Sequence, residues 1–288
     1  MHAAGAAAKG DEREFPFRSE DFDYLASLVY DQSGIVLGRH KENMVYSRLA
    51  RRLRELRLTS FREYCRLIQG ESGHDEIGFL INAVTTNLTK FFRENHHFEH
   101  LRHTVLKDLI SSSVLGERRL RIWSAGCSSG EEPYSIAMTV VEGVPGLVHW
   151  DARILATDLD TSMVAKAKAG TYSASAFDDV PKALRGRYFR PDRNVKSERW
   201  MVAQPLQALI AFKQLNLLGA WPIRGPFDAI FCRNVMIYFD AATKATLVSR
   251  FAELLKPHGW LYVGHSESLL ESQPNFKLRG RTIYQKIT

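Results

Sequence analysis

Arg121–Met138, RIWSAGCSSGEEPYSIAM, is the stretch whose reading decides the fold. The apolar Ile122-Trp123 gives way to small residues (Ser124, Ala125, Gly126, then Ser128, Ser129, Gly130), and a helical pattern begins at once. This is the strand–turn–helix opening of a nucleotide-binding sheet. It departs from a phosphate site in one respect. A pyrophosphate binds bare helix N–H groups, whereas Glu131 and Glu132 stand in this first turn and would repel it. A cation is attracted instead, and S-adenosylmethionine carries a sulfonium and an ammonium and no phosphate. Acids in a first turn also complement the helix dipole, so the pair alone leaves both readings open.

Outward from this turn the pattern repeats. "ARILATD", "LIAFKQLN", "FDAIFCRN" and "GWLYVGHS" are short apolar runs ending in polar or small residues, with amphipathic stretches at 131–142, 161–169 and 241–255. Strands alternating with helices predict a mostly parallel sheet covered on both faces. Ligands of such sheets lie beyond the carboxyl ends of the strands, where the sequence sets Ser124–Gly130, Asp158, Asn216 and Arg233-Asn234. An acid at the end of the second strand suits ribose hydroxyls. Asp158 could instead cap a helix, but Asp160, just before Thr161, suits that task better. Residues 171–206 are long, basic and without a helical pattern, and read as an inserted subdomain of a few antiparallel strands.

Before residue 90 the pattern is helical. "SEDFDYLASLVYDQSG" opens on a capping Ser19, repeats Phe22, Leu25, Leu28 and Val29, and stops at Gly34. "SFREYCRLIQG" has a Ser60/Glu63 capping box and ends at Gly70. Ile77, Leu80, Ile81 and Val84 share one face. The expected organisation is a disordered tail over 1–17, a helical domain over 18–90 and a sheet domain over 91–288. The junction, "TTNLTKFFREN" (85–95), is too rich in Asn, Thr, Phe and Arg for a plain linker. Asn87 or Thr89 could cap a helix there, and Phe91-Phe92 could plug an interface; equally, loops between rigid units carry function.

Composition narrows the classes. At 288 residues, 45% hydrophobic and 25% charged, the chain reads as an ordinary globular protein. No apolar run reaches the roughly 20 residues of a membrane span, and the Ala/Gly-rich start is too weak for a signal peptide. Three cysteines (Cys65, Cys127, Cys232) lie far apart and leave one over, against a disulfide framework or a zinc site. A reducing cytoplasm is expected. In "HHFEHLRH" His96 and His100 are four apart, but the Glu of HExxH and a third ligand are missing, so no metal is expected. The net charge of +7 points to an acidic partner. Much of it lies in "HKENMVYSRLARRLRELRL", an amphipathic helix with the stripe Val45, Leu49, Leu53 and Leu56. At about 100° per residue Arg51 points away from the stripe with Arg48 and Arg54 to either side, while Arg52 and Arg57 flank it.

With these residues assembled, the chain resembles the CheR family of chemoreceptor glutamate methyltransferases over about residues 20–285. The resemblance rests on "TTNLTKFFRE", "IWSAGCSSGEEPYSIAM", "ATDLD", "FDAIFCRNVMIYF" and "LYVGHSESL", five motifs in order. It implies an all-α N-terminal domain followed by a Rossmann-like S-adenosylmethionine-dependent methyltransferase domain with an inserted β-subdomain. It further implies methyl transfer to glutamates on the cytoplasmic helices of chemoreceptors, with S-adenosylhomocysteine as the other product.

By motif, Asn87, Thr89 and Arg93 are expected to reach the cofactor, with Gly126 in the first turn, Glu132 at its methionyl part and Asp158 at its ribose. Asn216, Leu217, Arg233 and Asn234 frame the rest, and Arg93 and Tyr238 are the catalytic candidates. A glutamate of ordinary pKa near 4.3 is already a nucleophile at neutral pH and needs no general base, consistent with the lack of an evident His–Asp or Cys–His pair. Given a glutamate-bearing helix as substrate, the face of Arg48, Arg51, Arg52 and Arg54 is expected to dock it. "RPDRNVKSER" stands where some members have a glycine-rich loop for a receptor's C-terminal tail, so tethering through the β-subdomain is an open expectation. A monomer without nucleic-acid partner or membrane insertion is expected. A nucleic-acid methyltransferase is the rival enzyme, but "RNVMIYF" lacks the prolines of its usual turn; the other rival is a non-catalytic receptor-binding protein of the same fold.

Overall fold

A computed structural model describes residues 13–70, 73–112, 117–192, 199–269 and 274–287. The chain divides into two compact units, Met1–Thr85 and Thr86–Thr288.

The described regular elements of the first unit are all helices: α1 (Ser19–Ser33), α2 (Glu42–Leu56), α3 (Phe61–Gln69) and α4 (Gly73–Val84), with a 3-10 turn at Arg39–Lys41. Its core gathers Phe22, Leu25 and Val29 of α1, Val45, Leu49 and Leu53 of α2, Phe61 and Tyr64 of α3, and Leu80 and Val84 of α4. Gly34 ends α1 in the left-handed conformation at φ 70°. Capping differs from expectation in detail. Ser19 is the first helical residue and Arg18 the cap, with Asp21 reaching back to accept from the Arg18 amide at 3.0 Å. Ser60 does cap α3, accepting from the Glu63 amide at 3.3 Å, but the Glu63 carboxylate accepts from Thr59 N (2.7 Å). Most of the expected tail lies outside the described residues. Residues 13–17, assigned to that tail, are instead packed: Arg13 donates to Glu42 (3.0 Å) and Asn43 (2.7 Å), and the Phe17 ring lies 4.1 Å from that of Phe61.

The second unit starts with a helix in three continuous parts, α5 (His96–His100), a π-turn (Leu101–Leu106) and α6 (Lys107–Ser112). Then come β1 (Arg119–Ala125), α7 (Glu131–Gly143), β2 (Asp151–Asp158) and α8 (Thr161–Ala169). The inserted segment holds β3 (Thr171–Ser173), α9 (Lys182–Tyr188), β4 (Phe189–Pro191) and β5 (Arg199–Val202). The chain returns through α10 (Gln204–Gln207), β6 (Ile210–Gln214), β7 (Phe227–Cys232), α11 (Ala241–Leu254), β8 (Leu255–Val263), β9 (Phe276–Gly280) and β10 (Ile283–Lys286).

The main sheet runs β6-β2-β1-β7-β8-β10-β9. Its first five strands are parallel, and the β9–β10 hairpin closes the far edge antiparallel. Strand order reverses between β1 and β7, so a crevice opens beyond their carboxyl ends. Alternation along β1 feeds both faces. Leu120 and Ile122 join Phe98, Leu106, Tyr134 and Ala137 on one side, while Trp123 packs at ring distances of 5.0 and 5.3 Å on Trp221 and Phe251 on the other. Both faces are thus covered, as long apolar runs in parallel strands require.

The insertion is a small antiparallel sheet, β3-β5-β4. Phe91 is buried against its Tyr172, Phe177 and Phe189 rings at 5.0–5.6 Å. The Phe91 plug thus seals the insertion to its own unit. The tethering expectation turns largely on residues 193–198, which lie outside the described residues.

Candidate functional site

The β1–α7 turn is built by backbone demands. Gly126 has φ 88°, and a Cβ there would lie 2.3 Å from Val235 Cγ2; Gly130 has φ 101°. The Gly126 and Cys127 amides both donate to Thr157 O at 2.8 Å, folding the turn onto the end of β2. Asp158 holds it from beside: Oδ2 accepts from Ser128 N at 2.7 Å and Oδ1 from Asp160 N at 2.9 Å. Asp160 caps α8 as expected, accepting from Ser162 N at 2.8 Å and Met163 N at 3.2 Å. Asp158 is therefore engaged at both oxygens. A carboxylate has about four acceptor positions, more than these backbone amides fill, so capacity remains for a ligand.

The segment after Thr85 is tied to this turn. Asn87 donates to Asp160 Oδ2 at 2.9 Å, and its carbonyl accepts from Ser128 Oγ at 3.1 Å. Thr89 is half-buried on the same segment. Arg93 Nη1 folds back to donate to the Leu88 carbonyl at 2.8 Å. Phe92 and Glu94 both take positive φ, 52° and 57°, in the turn before α5. Such conformations cost energy for side chains of this size, and the surroundings hold them: Phe92 N donates to Ser135 Oγ at 2.9 Å.

A buried charge network joins that turn to the ends of β1 and β7. Arg233, whose side chain is 2% exposed, donates to Glu132 Oε2 at 2.9 Å and to the Arg93 carbonyl, and lies 3.5 Å from Glu94 Oε2. Glu132 Oε1 accepts from Ser124 Oγ at 2.7 Å. Glu94 Oε1 meets His265 Nδ1 at 2.9 Å. Burial pushes the Glu94 carboxyl up, but the His265 hydrogen bond and the Arg233 charge outweigh it and bring the pKa down to about 2. His97, buried beneath, is pushed down to about 3 by burial and then by Arg233, which keeps it neutral. Glu94, His96 and His97 present possible metal-ligand atoms within 4.8 Å of one another; the positive charge beside that carboxylate is Arg233. Cys127 is buried and its thiol pKa pushed up by burial, so it carries no nucleophile.

The other strand ends complete the crevice. Asn216 Oδ1 accepts from Leu218 N at 2.9 Å, and Leu217 is buried with its carbonyl accepting from Trp221 and Arg250. Leu215 N donates to Asp158 O at 2.9 Å, which sets this loop beside β2. Asn234 takes φ 59° against Gly264, where a Cβ would lie 2.3 Å from the Asn234 side-chain nitrogen. Glu267 fixes that turn by accepting from Asn234 N (2.8 Å), Ile237 N (3.0 Å) and Gly264 N (2.5 Å). The Tyr238 hydroxyl donates to Thr86 O at 3.4 Å.

Gly126, Glu132, Asp158, Asn216, Leu217, Arg233 and Asn234 thus follow the carboxyl ends of β1, β2, β6 and β7, Asn87 is tied to the first of these turns, and Arg93 and Tyr238 hold the segment that carries Asn87. The sequence gives Glu94, Ser128, His265 and Glu267 no role of their own: polarity within "FFRE" and "GHSES" is the available signal, and partners up to 171 residues apart leave no local clue to which groups meet.

The α2 arginines are in the first unit and turn out differently employed. Arg48 donates to the carbonyls of Ala83 (3.1 Å) and Thr85 (2.5 Å) at the end of α4. Arg52 grips the buried Glu76 through Nε at 2.9 Å and lies 4.4 Å over the Phe79 ring. Arg54 pairs with Glu14 at 2.9 Å, and Arg51, 85% exposed, reaches Glu55 at 3.0 Å. Two of the four expected docking arginines are therefore built into the unit's own packing.

The crevice fits S-adenosylmethionine by charge. Burial raises the pKa of Glu131, Glu132 and Asp158, a penalty on their charged forms that a cationic ligand relieves, and Arg233 pairs with Glu132. Such a mouth repels phosphate and favours a ligand with a sulfonium and an ammonium.

Comparison with known proteins gives the same answer. Residues 20–85 match the CheR methyltransferase all-alpha domain and residues 87–285 the CheR methyltransferase SAM binding domain. The probable chemotaxis protein methyltransferase of Rhizobium etli is 44% identical over 262 residues, 91% of this chain and 97% of that protein. Chemotaxis protein methyltransferase 2 of Pseudomonas aeruginosa is 42% identical over 94% of this chain and 95% of its own. The chemotaxis protein methyltransferase of Escherichia coli is 43% identical over 91% and 89%. A helical first unit, a sheet unit whose acidic crevice suits S-adenosylmethionine, and matches along nearly the whole chain agree: this protein belongs to the CheR family of S-adenosylmethionine-dependent methyltransferases.

Proposed function

We propose that this protein methylates glutamate side chains on the cytoplasmic helices of chemoreceptors, forming glutamyl methyl esters in chemosensory adaptation. The observation that carries the reading is the convergence of Arg93 and Tyr238 on one short segment at the crevice: Arg93 holds the Leu88 carbonyl and Tyr238 the Thr86 carbonyl. A guanidinium and a phenol anchored on one short segment can grip and orient a carboxylate. The names of the relatives support the choice of receptor.

Asn87, Thr89, Gly126, Glu132, Asp158, Asn216, Leu217, Arg233 and Asn234 are the residues that hold the cofactor in this proposal. Asp158 takes the ribose and Glu132 the ammonium, each through the lone pairs its internal hydrogen bonds leave over. Bound S-adenosylmethionine supplies an electrophilic methyl group. Arg93 and Tyr238 hold the acceptor carboxylate in line with it, a gain of several kcal/mol from orientation alone. No proton has to be removed from the acceptor, because it arrives ionised. Too firm an Arg93 pair would stabilise the ground state; donation by Arg93 to Leu88 O shares its charge and limits that grip.

The reading places the protein in the cytoplasm, and no described helix is long and apolar enough to cross a membrane. The deciding experiment supplies labelled S-adenosylmethionine to receptor-containing membranes and then applies mild base. Label released as methanol supports carboxyl methyl esters; base-stable label, or label on nucleic acid, refutes the proposal.

A further inference from the structure

Two large apolar side chains stand exposed beside the proposed reaction centre: Leu88 at 80% and Ile237 at 45%. A single exposed leucine on a loose loop needs no explanation, but neither backbone here is loose. Leu88 follows Asn87, which is tied through its amide to Asp160 (2.9 Å) and through its carbonyl to Ser128 (3.1 Å), and its own carbonyl is held by Arg93 (2.8 Å). Ile237 is held by its amide to Glu267 at 3.0 Å, and Tyr238 beside it reaches Thr86, two residues before Leu88, at 3.4 Å. The two apolar residues therefore stand on fixed supports one and two positions from the Tyr238–Thr86 contact, and Leu88 carries the carbonyl that holds Arg93.

Rigid apolar groups beside a cation suit a partner that presents a carboxylate with apolar neighbours, because ordering them on binding costs little. On a helix the neighbours of a glutamate are the residues three and four positions away. Resting on the reading of the site as a glutamate methyltransferase, we infer that Leu88 and Ile237 form an apolar lip. The lip receives apolar side chains one helical turn from the acceptor glutamate. It makes the enzyme select glutamates at the border of an apolar helix face over glutamates in fully polar surroundings.

The test uses the full chain with Leu88→Ser and Ile237→Ser, singly and together, and cofactor affinity as the check on folding. With receptor membranes, the double variant should show KM raised about tenfold, the order expected for losing burial of one or two apolar side chains, with kcat and S-adenosylmethionine affinity within about twofold. A helical peptide substrate whose apolar neighbours are changed to serine should lose about tenfold in kcat/KM with the wild-type enzyme and under about twofold with the double variant. Unchanged KM, or equal losses with both enzymes, overturns the lip. Failure of the wild type to esterify any glutamate overturns the functional reading, and the lip with it.

Discussion

Glu94→Gln tests the buried network most directly. In the wild type, burial raises the Glu94 pKa, but His265 at 2.9 Å and Arg233 at 3.5 Å bring it from 4.5 to about 2. At about 1.36 kcal/mol per tenfold change in the protonation equilibrium, that difference corresponds to about 3 kcal/mol. Because His265 is largely in solvent, screening leaves about 2 kcal/mol. A carboxyl whose folded pKa is depressed contributes in full above its unfolded pKa, and the contribution is lost as pH falls through the folded value. The window is therefore from about 4.5 down to 2. All five tryptophans, Trp123, Trp150, Trp200, Trp221 and Trp260, lie in the second unit, so their fluorescence in urea follows that unit alone. At pH 7 the variant should unfold about 1 M earlier, for a denaturant slope of about 2 kcal/mol per molar. Near pH 2 the two midpoints should nearly coincide. Equal midpoints at pH 7, or a gap that persists unchanged down to pH 2, would refute the assignment of Glu94 as an ionised partner of Arg233.

Three further outcomes are expected. Asp158→Asn should weaken S-adenosylmethionine binding by about 1.5–3 kcal/mol, a loss of tenfold or more; calorimetry showing unchanged affinity would reduce Asp158 to a support for Ser128 and Asp160. Tyr238→Phe should lower kcat while leaving cofactor affinity nearly intact, the pattern of a contact made in the transition state; normal turnover with weaker cofactor binding would reverse that assignment. Arg51→Glu with Arg54→Glu should slow methylation of receptors and flatten its salt dependence without changing cofactor affinity. Full activity of that pair at low salt removes α2 from the docking surface.

The choice of Arg51 and Arg54 for that test shows where sequence reasoning stopped. Helical periodicity places all four arginines around α2 and identifies most of the buried stripe: Val45, Leu49 and Leu53 are buried as their spacing implies, while Leu56 at the helix end is only half-buried. It could not show that the end of α4 offers the Ala83 and Thr85 carbonyls to Arg48 and a buried Glu76 to Arg52. The sheet was legible for the same local reason: β1, β2, β6, β7 and β8 are apolar runs, and the strand ends carry the polar residues. Asp160 is legible as a cap because a cap is a contact within three residues. The links from Glu94 to Arg233 and His265 span 139 and 171 residues, and pairing at that range is a property of the folded sheet.

Glu267 has a consequence for how such chains can diverge. It touches three backbone amides and, in the proposed scheme, nothing that reacts. A glutamine there would offer one acceptor oxygen where three donors converge, and turn a second set of hydrogens toward them. Together with Gly126 and Gly264, whose requirements are likewise set by backbone geometry, it makes much of the recognisable pattern architectural. The chemistry is assigned to Arg93 and Tyr238, side chains that fold back onto the carbonyls of Leu88 and Thr86. A descendant could therefore exchange those two and keep the crevice, becoming a sensor of S-adenosylmethionine that no longer spends it.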